Sequence, residues 1–338
     1  MATQNAGTRE ESRGVILFNL GGPETLADVR PFLYNLFSDP DIIRIKSDLF
    51  RKTLAWLVAF ARQRKSRNLY RQIGGGSPLR RITDDQARAL AERLAARKLA
   101  GRVYVGMRCW KPSIDEAVDN IIRDGITRLV ALPLFPHFSM TTTGSCFNYF
   151  RRLARRTGLA DKCHITYVEA WYDEPLYVDS MADLIREGMG RFSDTDPSSI
   201  QLLYSAHSIP ARYVEEEGDP YLEMTRNCVD LINRKLGNAS PSLLCFQSKV
   251  GPVKWLGPPI NEIIQKLGRQ GVPKVLAVPI SFVSDHIETL QEIDIMYKRL
   301  AEESGIKEFQ RVASLNLNPK FIEALAEVAA KGFRQVIH

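Results

Sequence analysis

Carboxylates and imidazoles crowd one stretch of this chain. In SDHIETLQEIDIMY, Ser284 to Tyr297, the residues Asp285, His286, Glu288 and Glu292 fall close together. Such a set can hold a hard cation, move a proton, or do both. An apolar, β-branched run, VLAVPISFV (Val275 to Val283), precedes it and reads as a buried strand. The stretch then continues as a helix, with Leu290, Ile293 and Tyr297 on one stripe. Glu288 and Glu292 are four apart and share a helical face. The carboxyl end of a strand in an α/β sheet is where ligands bind. A plainer reading stands beside this one: Asp285 and Glu288 could form a capping box that closes the helix start.

Other strand ends carry further groups. GVILFNL (Gly14 to Leu20) leads to NLGGPET, and VYVGM (Val103 to Met107) to MRCWKP, which brings Arg108 to the rim. LVALPLF (Leu129 to Phe135) leads to the hydroxyl-rich PHFSMTTTGS, and IQLLYSA (Ile200 to Ala206) presents His207. LLCF (Leu243 to Phe246) leads to QSKVGPVKWLGPP with Trp255. Each has a blander reading: a structural histidine, a packing tryptophan, a surface ion pair for Arg108. Because these loops share one rim, they point together to a cleft. Its inventory is an imidazole, carboxylates, aromatics and basic groups, with no evident hydroxyl or thiol nucleophile. NLGGPET lacks the GxGxxG spacing, and Gly74-Gly75-Gly76-Ser77 is a weak phosphate-loop signal.

The elements that must position these groups alternate strand and helix. ITYVEA (Ile165 to Ala170) and RVASLN (Arg311 to Asn316) complete the strands. Thr83 and Gln86 read as a capping box before ARALAERLAARKLA. Asp219-Pro220 and Asn318-Pro319 each read as a helix start. Continuous apolar strands between helices predict parallel sheets covered on both faces. GITRLVALPLF from Gly125 aligns without gaps on GVPKVLAVPIS from Gly271, matching at Gly125/Gly271, Ala131/Ala277 and Pro133/Pro279. The 338 residues therefore divide into two similar α/β lobes, Rossmann-like, each with an approximately four-stranded parallel sheet and an active cleft between them. The boundaries predicted are 14–170 for the first lobe and 171–317 for the second. A last helix over 318–338 could pack back on the first lobe.

A formal charge of +7 suits small anions or an anionic membrane surface as well as nucleic acid, and selects none of them. Five cysteines without a CxxC pair fit a reducing compartment and argue against a structural zinc site. The polar N-terminus does not read as a signal peptide, and no apolar run reaches a membrane span. FLYNLF (Phe32 to Phe37) and LFRKTLAWLVAFARQRK (Leu49 to Lys65) set large apolar residues beside a basic flank. They read either as buried helix or as an interfacial helix on anionic lipid.

NLGGPET, IGGGSPL, LPLFPHFSMTTTGS, YSAHSIP, GDPY, FQSKVGPVKWLGP and PISFVSDHIETLQEID closely resemble the ferrochelatase family, in order, from about Gly14 to the last helix. The resemblance implies insertion of Fe2+ into protoporphyrin IX with release of two protons, the terminal step of haem synthesis. It implies His207 and Glu288 as metal ligands and catalytic groups, expected to face each other across the cleft. Glu292 follows as an accessory acid. Arg62, Tyr70, Ser77, Arg108, Trp255, Phe282 and His286 match positions that hold the macrocycle or its propionates. The segment over about 32–65 matches the family's apolar lip. A flat apolar disc with carboxylate tails suits aromatic walls and arginines. Fe2+ enters as substrate, and no tightly bound cofactor is expected. The cysteine that serves a 2Fe–2S cluster in some members aligns with Met140, and the chain lacks their cysteine-rich extension, so no such cluster is expected. Met296 replaces a third acid common on the helix after Glu288, and Lys111 stands where some members have a histidine. A cytoplasmic protein is expected, with room for peripheral contact at the inner membrane face and no nucleic-acid partner. Three rival activities fit parts of this pattern. A cobalt chelatase would need a more basic cleft for its acidic tetrapyrrole. A chelatase of the coproporphyrin-using branch would differ in its porphyrin, and a porphyrin carrier would bind without catalysis.

Overall fold

The computed structural model describes residues 11–335 except Ala100, Val250 and Pro252. The polar N-terminal stretch 1–10 and the chain beyond Gln335 lie outside the described residues. The chain folds into two four-stranded sheets, each wholly parallel. The first holds β1 (Arg13–Asn19), β2 (Arg102–Met107), β3 (Arg128–Pro133) and β4 (His164–Tyr167), in the order β2-β1-β3-β4. The second holds β5 (Gln201–His207), β6 (Ser242–Gln247), β7 (Lys274–Pro279) and β8 (Glu308–Arg311), in the order β6-β5-β7-β8. The two topologies are the same.

Helices fill the crossovers. In the first half they are α1 (Val29–Ser38), α2 (Asp48–Gln72), α3 (Leu79–Ala96), α4 (Ile114–Arg123), α5 (Ser145–Arg156) and α6 (Leu159–Lys162). Then come α7 (Pro175–Met189), α8 (Ala211–Glu215), α9 (Tyr221–Lys235), α10 (Ile260–Arg269), α11 (Lys298–Glu303) and α12 (Pro319–Arg334). A π-helical turn, Met140–Gly144, follows β3, and a longer π-helix, Glu288–Tyr297, follows β7.

Side chains alternate across each strand, and that alternation sorts the cores. Val15 and Leu17, with Leu202, Tyr204, Leu276 and Val278, share one buried cluster with α7 and α12. Ile16 and Phe18 face the other way, against α4 and α5. Leu203, Val275 and Ala277 face α10, Ile293 and Tyr297. The inner faces of both sheets thus meet in one continuous core. Each fourth strand sends its following helix to the opposite sheet: α7 contacts β7, and α12 contacts β3 and β4. Small residues permit the approach. A Cβ on Gly188 would lie 3.2 Å from Leu276, and one on Gly332 would lie 3.0 Å from Val130.

Three readings of the sequence need correction. Thr83 and Gln86 do not cap a helix. Ser77 Oγ accepts from Leu79 N at 3.3 Å, so α3 begins earlier and both residues lie buried inside it. The last strand is Glu308–Arg311, not Arg311–Asn316. Beyond Arg311 the chain turns away, with Asn316 at a positive φ of 42°. The pair Asp285/Glu288 is not a capping box either. Thr289 Oγ1 accepts from His286 N at 3.0 Å, and Glu288 is engaged elsewhere.

The two glycine-rich turns pack on each other. Ser77 N donates to Pro23 O at 2.7 Å, and a Cβ on Gly76 would lie 2.0 Å from Glu24 O, with backbone on the far side. No rotamer change relieves that clash. Gly76→Ala should cost about 3 kcal/mol, the upper range for a single substitution, read as a lowered midpoint of urea unfolding. An unchanged midpoint would mean the turns do not need this approach.

Candidate active site

His207 ends β5 in phase with Leu203 and Ser205, on the sheet face covered by the π-helix. β7 lies beside β5 and leads into that helix. The two elements meet where His207 Nδ1 lies 2.8 Å from Glu288 Oε2. Sequence reasoning expected these residues to face each other across the cleft. They share one wall instead, because their strands are neighbours in one sheet. A carboxylate at Nδ1 fixes the proton there and leaves Nε2 as the lone-pair nitrogen. Nε2 has no protein partner among the described residues, and 37% of the His207 side chain is accessible.

Electrostatics couple this pair. Burial lowers the His207 pKa, but the Glu288 charge and hydrogen bond outweigh it, with help from Glu292, and the net shift is upward. Burial works against the Glu288 carboxylate, yet His207 and then His286 hold its pKa well below the usual range. His286 Nε2 lies 3.6 Å from the same Oε2. Glu292 goes the other way. Burial, then the Glu288 charge, pushes it up to about 7. Gln247 Nε2 donates to the Glu288 carbonyl at 2.9 Å and to Glu292 Oε2 at 3.0 Å, and Ser248 Oγ donates to that oxygen at 2.6 Å. The site therefore offers an ionised carboxylate, a histidine with one free nitrogen, and a second carboxyl that titrates near neutrality.

The remaining predicted residues spread around this centre. Phe282 packs against His286 at 4.4 Å with the rings tilted by 59°, and meets His207 edge-on at 6.2 Å. Tyr70 is buried in the lip cluster; burial and then the Glu288 charge raise its pKa, so the hydroxyl stays protonated beside the site. Trp255 bridges Pro210 through its backbone, and its Nε1 is buried without a partner. Arg62 lies over the Phe37 ring at 5.6 Å. Ser77 is engaged at the start of α3. Arg108 is the most committed. It pairs with the fully buried Asp39 at 2.9 Å, donates to Ser145 Oγ at 3.0 Å and covers the Tyr149 ring at 4.4 Å. Breaking such a buried pair costs about 3–5 kcal/mol, so only its Nη1 is free to meet another group.

Several supporting residues were not read from the sequence. Tyr221 Oη donates to the His207 carbonyl at 2.9 Å and bonds Ser281 Oγ at 2.6 Å. His137 packs edge-on against Tyr221; burial alone lowers its pKa to about 3, so it stays neutral. Gln86, from the first half of the chain, reaches Ser284 Oγ at 3.0 Å and the Asn316 carbonyl at 2.8 Å. Tyr221 lies in GDPY, His137 in LPLFPHFSMTTTGS, and Ser281 and Ser284 in PISFVSDHIETLQEID, so the motifs were recognised but these roles were not, because they depend on tertiary contact. A groove of about 540 Å3 lies apart from the site, against β4 and α5. Among the described residues no group of three or more His, Cys, Asp or Glu side chains is arranged to hold a metal ion.

Two parallel sheets flanked by helices, with a histidine–carboxylate pair on the rim of one, define a chelatase-type α/β protein. The iron-bound SirB of Bacillus subtilis has the same fold, with a TM-score of 0.56 at 11% identity over 96% of both chains. The ferrochelatase family model matches residues 12–332. A ferrochelatase of Cyanothece is 49% identical over 95% of this chain and 82% of its own length, and one of Gloeobacter violaceus 48% over 93% and 96%. The chain belongs to the ferrochelatase family. It is a lyase of haem synthesis whose substrates are a porphyrin and Fe2+.

The raised Glu292 pKa carries a stability signature. The folded protein keeps a proton that the unfolded chain has already released, so this contribution is full below about pH 4.5 and is lost as pH rises through about 7. The wild type should lose stability over that window relative to Glu292→Gln, as measured by urea unfolding at several pH values. Parallel profiles would remove Glu292 as the titrating group.

Proposed function

We propose that the chain inserts Fe2+ into protoporphyrin IX with His207 and Glu288 as the reacting groups. The observation that carries this reading is the 2.8 Å bond that leaves His207 Nε2 free. Each pyrrole N–H bond breaks with its electron pair left on nitrogen, and that pair binds the incoming metal. The two protons go in turn to Nε2, and no redox change is needed. Glu288 orients the imidazole, stabilises its protonated form and offers Oε1 to the metal. Glu292, at about 7, can take a proton onward near neutral pH. Phe282, His286, Tyr70 and Trp255 wall the macrocycle, while Arg62, Ser77 and the free Nη1 of Arg108 meet its propionates. The division remains 14–170, 171–317 and 318–338, with the cleft at the shared rim.

His207→Ala should lower kcat by about 100-fold or more, the low end for losing a general base. Porphyrin affinity should stay near the parent value, because apolar walls dominate binding. Glu288→Gln should also slow insertion. The assay is loss of porphyrin fluorescence on metal addition, with porphyrin titrated separately. Parent-rate insertion by His207→Ala would return the histidine to a structural role.

The protein works without an iron–sulfur cluster in this reading. All five cysteines are buried, and burial pushes Cys109, Cys163 and Cys228 up to about 12, a poor state for thiolate ligands. Cluster absorption with matching iron and sulfide in anaerobically purified protein would refute it.

The lip is proposed to meet the anionic inner face of the membrane from the cytoplasm. Leu49, Phe50, Trp56, Leu57 and Phe60 are 48–78% exposed on α2, while Ala55 and Ala59 face inward. Trp56 and Phe60 stack at 5.7 Å, and Arg30 covers both rings. A contiguous outward patch of this kind marks an interaction surface. It also favours an apolar porphyrin over a many-carboxylate one. No described helix is long and apolar enough to cross a membrane. Trp56, Leu57 and Phe60 changed together to serine should weaken binding to anionic vesicles or raise KM, and spare kcat. Unchanged vesicle binding and KM would leave the patch without this role.

A further inference from the structure

We infer that Arg311 is a positioning residue that holds the π-helix in the form that places Glu288 on His207. The inference rests on the role proposed for that pair. Arg311 ends β8 and is 11% exposed. Its Nε and Nη2 fork onto Asp294 Oδ1 and Oδ2 at 2.7 and 2.8 Å, inside the π-helix. Its Nη1 reaches Asp285 Oδ1 at 3.1 Å, before the helix begins. One guanidinium therefore joins two points that bracket Glu288.

The anchor is itself anchored. Asp285 accepts from Ser314 Oγ at 2.7 Å, Asn316 Nδ2 at 2.8 Å and Thr289 Oγ1 at 3.1 Å. The Asn316 carbonyl is held by Gln86 from α3. The π-form is uncommon and is retained where tertiary contacts favour it. Five-residue spacing of its hydrogen bonds changes which side chains face the sheet. A return to α-helical spacing after release of Asp294 would rotate Glu288 away from Nδ1. An arginine suits the task because its planar fork fixes direction as well as charge.

The test compares Arg311→Met, Arg311→Lys and Asp294→Asn with the exposed control Arg299→Met. Measurements are kcat per folded protein, porphyrin affinity, thermal midpoint and amide exchange across Glu288–Tyr297. Arg311→Met should lower kcat by about tenfold or more and speed exchange in that segment, with porphyrin affinity within about twofold. Arg311→Lys, which keeps charge but loses the fork, should recover part of the rate. The double variant Arg311→Met with Asp294→Asn should be no worse than either alone. A lowered thermal midpoint with parent kcat and parent exchange in the segment would overturn the proposal, as would additive losses. Glu288→Gln separates the two levels. If that variant keeps the parent rate, the role of the pair fails. If it slows insertion, and Arg311→Met then slows it by the same factor as in the parent, the positioning role alone fails.

Discussion

The bond from His207 to Glu288 exists because β5 and β7 are neighbours running in parallel. Parallel neighbours end at the same rim, so the residue closing one strand meets the loop leaving the other. Strand alternation then decides which face His207 takes, and the π-helix occupies that face through Ile293 and Tyr297. Move the strand register by one residue and His207 would point into the shared core instead. The competing energies are also settled there. Burial disfavours both charged forms, and their contact is the main interaction that reverses it for each partner, with Glu292 helping His207 and His286 helping Glu288. Remove either, and the other faces the cost of burial with only that weaker help.

That geometry needs a fixed relation between the two halves. It comes from α7 and α12, the helices that follow the fourth strand of each sheet and pack against the other sheet. A hinge at this junction would open the single largest apolar core, so its helices act as a common floor. Polar ties at the upper rim agree. Gln86 crosses to Ser284, and Asp219 accepts from Ser139 Oγ and Met140 N at 2.9 and 2.8 Å. The wall carrying His207 and the wall carrying the lip therefore keep register while α2, at the surface, presents its apolar face outward.

Most strands and the two-fold repeat were legible because β-branched runs and the Gly125/Gly271 echo are local signals. Helix starts at Asp219-Pro220 and Asn318-Pro319 were legible for the same reason: Asp219 Oδ1 accepts from Tyr221 N, and Asn318 Oδ1 from Lys320 N, both at 3.0 Å. Thr83/Gln86 carried an equally good local pattern and misled, because Gln86 serves a partner far away in sequence. The π-helix was hidden, since its apolar stripe fits an α-period nearly as well. The outward face of α2 was undecidable without knowing which side α1 covers. Contacts such as Arg311 to Asp294 join separate elements and leave no mark in either one.

The internal duplication shows what the site required beyond the fold. Ser205 pairs with Pro279 as Phe18 pairs with Pro133, so Leu20 in the first half stands where His207 stands in the second. By the same register Arg108 corresponds to Gln247. Both halves keep the third strand, a π-helical segment after it, and a glycine on the crossing helix that packs against that strand. They diverge in the side chains at the rim. One half spends its polar groups on the buried Asp39–Arg108 pair, which ties the connection between α1 and α2 to β2 and α5. The other leaves a histidine nitrogen free and holds a titrating carboxyl through Gln247 and Ser248, with no cation among the described residues paired to it. The shared scaffold thus supplies position, and a few substitutions at equivalent strand ends divide the work: one half holds the lip in place, the other presents the chemistry.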